Sequence, residues 1–132
     1  MLTNRSMPQS TVIPQLGYAD VGAAAEWLEK AFGFTVRLRI ADHRIQMNVG
    51  DGAVVLTHSL DAPQCSVMVR VSDADGHHSQ AVAAGAKASA PVTFPYGERQ
   101  YTAFDCGGHA WTFSQSVADV APEDWGGAAG KL

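Results

Sequence analysis

The sequence predicts an α+β fold: tandem βαβββ modules forming a curved mixed sheet around a cleft. Three observations carry this. An Ala-rich helical stretch opens at Tyr18-Ala19-Asp20-Val21 and closes at Ala31-Phe32-Gly33; a second opens at Val71-Ser72-Asp73-Ala74 and closes at Ala83-Ala84-Gly85. Each is preceded by a short apolar strand and followed by three strand-like runs. The last two runs of each half meet at a Gly-containing turn, Gly50-Asp51-Gly52 or Cys106-Gly107-Gly108.

In the first half, residues 12–18 read as a strand with Leu16 and Tyr18 on one face. Pro14 cannot donate to a ladder, so this strand belongs at an edge or at a subunit boundary. Asp20 suits an N-cap. Val21, Ala24, Ala25, Leu28 and Phe32 recur at helical spacing, which predicts a helix over 21–32 ended by Gly33. Phe34, Val36, Leu38 and Ile40 alternate with Thr35, Arg37 and Arg39, and Ile45, Met47 and Val49 with Arg44, Gln46 and Asn48. Strands are therefore expected at 34–40 and 44–49, with a return at 53–59 after the hairpin signal Asp51-Gly52. The modules span 12–59 and 66–114 of a single domain, joined by a Pro63-containing linker.

In the second half, strands are expected at 66–72, 91–95, 100–105 and 109–114, and a helix at 73–84 capped by Asp73. That helix carries a thin stripe of Ala74, His77, Ala81 and Ala84, and Gly76 weakens it by up to about 1 kcal/mol. The tail from Gln115 reads as a short turn and a frayed end.

Composition narrows the class. Hydrophobic residues make up 46% and charged residues 17% of 132 residues, which fits one folded domain. The net charge of −4 argues against direct nucleic-acid binding. No apolar run approaches a membrane span, and the first ten residues lack an apolar signal core. Cys65 and Cys106 read as reduced thiols, so a cytoplasmic setting is expected. No C-x-x-C pair offers a structural zinc site.

The candidate site residues sit mainly on one strand face. If alternation holds, Arg37, Arg39 and Arg70 lie opposite the helix-packing face, together with Gln15, Gln46, Asn48, Thr57, Met68 and Thr112. This face offers donors, one soft apolar group and no acid. Phe94, Tyr96 and Tyr101 are expected at the rim, where rings can stack on a flat ligand. Trp111 and Phe113 alternate with Thr112 and are expected in the core. Trp27 lies off the helical stripe, at a helix or dimer contact, and Trp125 lies in the tail, free to dock on a groove or another subunit. His77 and His78 point about 100° apart on a helix and do not converge on a metal, so both read as partly exposed surface residues. His43 and His58 read as surface or structural, and His109 as serving the last hairpin.

Three stretches carry a family resemblance: Tyr18-Ala19-Asp20-Val21 through Trp27-Leu28-Glu29-Lys30-Ala31-Phe32-Gly33-Phe34; Pro95-Tyr96-Gly97-Glu98-Arg99; and Gly107-Gly108-His109-Ala110-Trp111-Thr112-Phe113-Ser114. They resemble the vicinal oxygen chelate superfamily of glyoxalases, extradiol dioxygenases and bleomycin-resistance proteins. The metal enzymes of that family place His or Gln, Glu, His and Glu on four strands. Carried over, those positions fall at Ile13, Val55, Ser66 and Thr112, which provide no carboxylate and no imidazole. The resemblance thus implies a metal-free binding member without cofactor or catalytic residue, resembling the bleomycin-resistance proteins. Such proteins sequester a drug in grooves of a homodimer that exchanges strands. The implied ligand is a small molecule, an antibiotic or aromatic peptide drug with a flat ring, held by Gln15, Arg39, Gln46, Asn48, Met68, Arg70, Phe94, Tyr96, Tyr101 and Thr112. The alternative is a metal-dependent glyoxalase-like lyase or isomerase.

Overall fold

A computed structural model describes residues 2–132. The elements run β1 (Gln15–Tyr18), α1 (Val21–Phe32), β2 (Thr35–Ile40), β3 (Arg44–Val49), β4 (Gly52–His58), β5 (Ser66–Arg70), α2 (Ala74–Ala83), β6 (Lys87–Ala88), β7 (Val92–Thr93), β8 (Glu98–Phe104) and β9 (Ala110–Ser116), followed by a 3-10 turn at Pro122–Trp125. They build two mixed sheets of like order, β1-β4-β3-β2 and β5-β9-β8-β6, with β7 also pairing β8. In each module the first strand lies parallel to the last. The α+β class and the duplicated βαβββ pattern are those the sequence predicts. The strand expected at 91–95 is shortened to β7, and β6, which was not expected, precedes it before Pro91; both pair with β8.

Local chemistry sets α1. The Asp20 carboxylate accepts from the Ala23 amide at 3.0 Å, and Gly33 closes the helix at φ 77°, a left-handed conformation in which only glycine is unstrained. Val21, Ala24, Ala25, Leu28, Ala31 and Phe32 are buried. The second helix buries only Ala74 and Ala81. It is secured instead by His77, whose ring bridges the Phe32 carbonyl (Nε2, 3.0 Å) and the Tyr101 hydroxyl (Nδ1). A carbonyl only accepts, so Nε2 carries the proton and Nδ1 accepts from the phenol. His77 is therefore a half-buried clasp between the helices rather than the surface residue expected.

The helix-side faces of both sheets share one core. Phe32 meets Phe113 at 4.8 Å between ring centroids, and Phe34 meets Trp111 at 5.2 Å. Trp111 and Phe113 are fully buried, as expected.

A buried carboxylate also ties the modules together. Asp105, at the β8–β9 turn, receives four donors: the Gly107 and His109 amides on Oδ1 at 2.9 and 3.0 Å, and the Trp111 indole N–H and the Tyr18 hydroxyl on Oδ2 at 2.9 and 2.5 Å. His109 adds a second tie, accepting from the Cys65 amide at 2.9 Å and donating through Nε2 to the Gly17 carbonyl at 2.8 Å. Gly107 lies so close beneath Tyr18 that an added Cβ would stand 2.7 Å from the ring.

Three stability outcomes follow from this packing. Asp105→Ala leaves four donors without their acceptor and is expected to cost about 3–5 kcal/mol by urea unfolding. Ala41, in the β2–β3 turn, holds φ at 50°. Ala41→Gly is expected to raise stability by up to about 1 kcal/mol in the same assay. The phenols of Tyr18 and Tyr101 are pushed above the ordinary range, chiefly by burial, and for Tyr18 also by the Asp105 charge. A raised folded-state pKa means the folded chain holds the proton more tightly than the unfolded one. Its stabilising effect is whole below the ordinary phenol value and is lost as pH rises past it. Unfolding free energy is therefore expected to fall above about pH 10, and less steeply in Tyr18→Phe.

Candidate functional site

Each sheet turns one face to the shared core and one away from it. In the first sheet the outer face carries Gln15 and Gly17 on β1, Ala53, Val55 and Thr57 on β4, and Gln46 and Asn48 on β3, as the register aligns them. In the second it carries Ser66, Met68 and Arg70 on β5, Thr112 and Ser114 on β9, and Gln100 and Thr102 on β8. The expected face therefore exists, but it is divided between two sheets. Among the described residues no hydrogen bond joins the two parts.

Two expected site residues, one from that face and one from the rim, lie elsewhere. A register shift between Val36 and Leu38 puts an extra residue into β2 at Arg37. Beyond this bulge the alternation inverts. Leu38 pairs with Gln46 on the outer face, and Arg39 pairs with Ile45, on the side of the core. Arg39 is exposed at the sheet edge and does not join the polar face. Arg37 does: its guanidinium donates to Gln46 Oε1 at 2.5 Å. The second correction is Tyr101. It pairs with Phe113 on the helix side, is 1% exposed and stacks on that ring at 5.2 Å. It belongs to the core rather than the rim.

The outer face of the second sheet is open. Met68 is 65% exposed, and Phe104, Val92 and Phe94 are each more than one-third exposed. Lys87 and Phe104 lie in one register row with Ala110 and Ser66, and Val92 pairs with Gln100. Among these apolar groups runs a hydrogen-bonded polar lattice. Thr102 and Thr112 bond through their hydroxyls at 2.8 Å. Gln100 donates to Ser114 at 3.0 Å, and Ser114 donates to Glu98 at 2.5 Å. Arg70 donates to Ser116 at 2.8 Å.

The expected face without an acid thus contains one. Glu98 pairs with Ser116, and its carboxyl is held below the usual carboxylate range by hydrogen bonds from Ser114 and Ser116, with a smaller contribution from the Arg70 charge. Sequence alternation missed it because β8 begins two residues earlier than expected.

An aromatic ledge borders this face. Phe94 and Tyr96 stack nearly parallel, with centroids 5.4 Å apart, and Trp125 closes on Tyr96 at 5.2 Å. The Tyr96 hydroxyl reaches Gln100 at 3.4 Å. The tail indole therefore docks within the chain, on the rim. Trp27 lies edge-on to Phe32 at 5.1 Å, away from both outer faces.

The first sheet's outer face is covered by the chain's own N-terminal residues. Gln46, at 2% exposure, donates to the Ser6 carbonyl at 2.9 Å, and Pro8 is buried beside it. Gln15 is exposed on the edge strand, and Asn48 donates to Thr35 at 3.2 Å.

These faces offer hydroxyl, amide and guanidinium groups beside apolar and aromatic side chains. A metal ion, as the metal enzymes of this fold carry, does not fit the donor set. Val55, Ser66 and Thr112 stand on the outer faces and Ile13 precedes β1, and none offers an imidazole or carboxylate. Among the described residues no group of three or more His, Cys, Asp or Glu gathers to hold a metal. Burial raises the Cys106 thiol pKa, opposite to the shift an activated nucleophile needs. Both ring nitrogens of His77 and of His109 are engaged in structural bonds. No helix among the described residues is long and apolar enough to cross a membrane.

Neither the family models nor the curated proteins yield a match. The solved structures do. TioX from Micromonospora sp. ML1 is 30% identical, over 82% of this chain and 99% of its own, with a TM-score of 0.75. The bleomycin-binding protein of bleomycin-producing Streptomyces verticillus, complexed with copper(II)-bleomycin, is 20% identical over 77% of this chain and 92% of its own, with a TM-score of 0.65. A lactoylglutathione lyase from Agrobacterium tumefaciens is 16% identical over 83% of this chain and 96% of its own, with a TM-score of 0.69. With its duplicated βαβββ sheets, its Asp105-linked modules and this likeness over most of its length, the chain belongs to the vicinal oxygen chelate superfamily, the family of glyoxalases and bleomycin-resistance proteins.

Proposed function

We propose that this protein binds a small molecule and acts by sequestration, with an antibiotic or aromatic peptide drug as its ligand and self-resistance as the outcome. The observation that carries this reading is the open outer face of the second sheet. Met68, Val92, Phe94 and Phe104 form an apolar field beside Arg70, Thr112 and the Phe94–Tyr96–Trp125 ledge. Exposed patches of this kind on a folded chain mark binding surfaces. Met68 adapts to shape, the rings stack on a flat group, and Arg70 meets a ligand oxygen. The bleomycin-bound relative lends support by its fold.

One sheet face makes a wall, not a groove. We propose that the opposing wall comes from a second copy, so that Gln15, Gln46 and Asn48 of one subunit face Met68, Arg70 and Thr112 of the other. Sedimentation should then show a homodimer at micromolar concentration; a stable monomer would count against it. We place the protein in the cytoplasm, where its two unpaired thiols would stay reduced.

The lyase or isomerase alternative is favoured by the likeness to lactoylglutathione lyase. It requires metal donors that Ile13, Val55, Ser66 and Thr112 do not supply. The purified protein is expected to contain no stoichiometric zinc, nickel, manganese or iron. A metal removable only by chelator, with loss of turnover of a 2-oxoaldehyde thiol adduct, would favour the enzyme.

Binding is measurable by calorimetry with bleomycin and a panel of flat aromatic antibiotics. Arg70→Ala is expected to weaken the interaction by about 1–3 kcal/mol, the cost of losing a charged hydrogen bond. Tyr96→Ala, which removes the middle ring of the ledge, should weaken it as well. Wild-type affinity in both variants would move the binding surface elsewhere.

A further inference from the structure

The two outer faces differ in one respect that the module repeat does not explain. On β9 and β8 Thr112 and Thr102 are partly exposed, whereas on the corresponding strands β4 and β3 of the other sheet Val55 is 1% and Gln46 2% exposed. Neither of the latter is covered by a helix, because α1 packs on the opposite side. Over Gln46 lies the N-terminal segment, whose backbone is bonded to Gln46 on β3 and Arg37 on β2. Its turn is fixed locally: the Ser6 amide donates to Asn4 Oδ1 at 3.0 Å and the Met7 amide to the Asn4 carbonyl at 3.1 Å. Three successive carbonyls then accept from two neighbouring side chains. Arg37 Nη2 donates to the Arg5 and Met7 carbonyls, each at 3.0 Å, and Gln46 Nε2 to the Ser6 carbonyl at 2.9 Å.

These contacts describe an occupant rather than a permanent layer of the core. The Arg37 guanidinium meets only neutral oxygens; the ion pair among the described residues is Arg99–Asp75, elsewhere. A carboxylate would make bonds roughly twice as strong with the same guanidinium. Of residues 2–9 only Pro8 is buried, while Leu2 is 92% and Met7 44% exposed. Its Ser10 hydroxyl is buried with no partner, a cost that opening would relieve.

We propose that residues 4–8 form a displaceable strap, an internal competitor that occupies the Arg37–Gln46 donor pair, and that the ligand taken there is a peptide-like compound presenting carbonyl oxygens and a free carboxylate. This rests on the reading of the outer faces as ligand walls. The chain's own backbone supplies the template: whatever replaces it must satisfy the same three donor contacts. Binding is then an exchange, weakened by the fraction of molecules in which the strap is closed.

The test uses a fluorescein-labelled peptide of sequence Leu-Thr-Asn-Arg-Ser-Met-Pro-Gln-Ser with a free C-terminus, followed by anisotropy against the full chain. Asn4→Ala combined with Pro8→Ala loosens the strap without touching the donors. Relative to wild type it should bind the peptide about tenfold or more tightly, as the open fraction rises. Adding Arg37→Gln should abolish that gain, and Arg37→Lys should restore part of it. Equal affinity in wild type and the loosened variant, or no binding to either, overturns the proposal. Asn4→Ala alone, at an exposed side chain, keeps the test decisive should the double change lower the melting temperature. Bleomycin calorimetry on the wild type separates the two readings. If the loosened variant captures the peptide while no drug binds, the strap stands and the sequestration reading falls; drug binding that is indifferent to the loosening does the reverse.

Discussion

The Asp105 carboxylate is the constraint on which the rest of the architecture hangs. Each module closes its own sheet, so backbone pairing alone would leave two halves with no fixed relation. Asp105 supplies the relation by collecting two amides of its own turn, the Trp111 indole and the phenol of Tyr18. Burying a charge without such a set would be prohibitive; with it, the charge becomes a directional clamp. The Phe32–Phe113 and Phe34–Trp111 contacts are aligned because the clamp sets β1 against the last hairpin.

That arrangement explains where binding chemistry is available. Both helix-side faces are spent on the common core, which leaves the outer faces for other molecules. One is an apolar and hydrogen-bonding field bordered by stacked rings. The other holds an arginine and a glutamine under a turn of the chain's own backbone. The pair is complementary in chemistry, soft and aromatic on one side, cationic and amide-rich on the other. Their separation within one chain is the physical reason to look to a second copy for a closed groove.

Much of this was legible in the sequence. The bounds of α1 could be read to the residue because three independent signals agree there: the Asp20 cap, the stripe from Val21 to Phe32, and Gly33. The outer-face positions Gln15, Gln46, Asn48, Met68, Arg70 and Thr112 could be read because strand alternation is geometric. Where it failed, the cause was specific. A bulge at Arg37 has no composition signal, so Arg39 was assigned to the wrong side. Tyr101 was expected at the rim as a ring for stacking on a ligand; in the fold it stacks on Phe113 and its hydroxyl meets His77 of α2. Asp105 was invisible as a hub because Tyr18 lies 87 residues away. The two-residue strands β6 and β7 are too short for any periodicity to register.

The shared core has a consequence for synthesis. The first module can complete its sheet by His58, before any residue of the second has been made. Its ladders are local and need nothing from downstream. What it cannot do is hide Phe32 and Phe34, whose partners Phe113 and Trp111 lie near the end of the last hairpin. For the time the ribosome takes to add about fifty residues, several seconds at ordinary elongation rates, the nascent half displays an aromatic face to its surroundings. The duplication that makes the fold economical also gives it a window of vulnerability on the ribosome, one that closes only when Phe113 and Trp111 dock on Phe32 and Phe34.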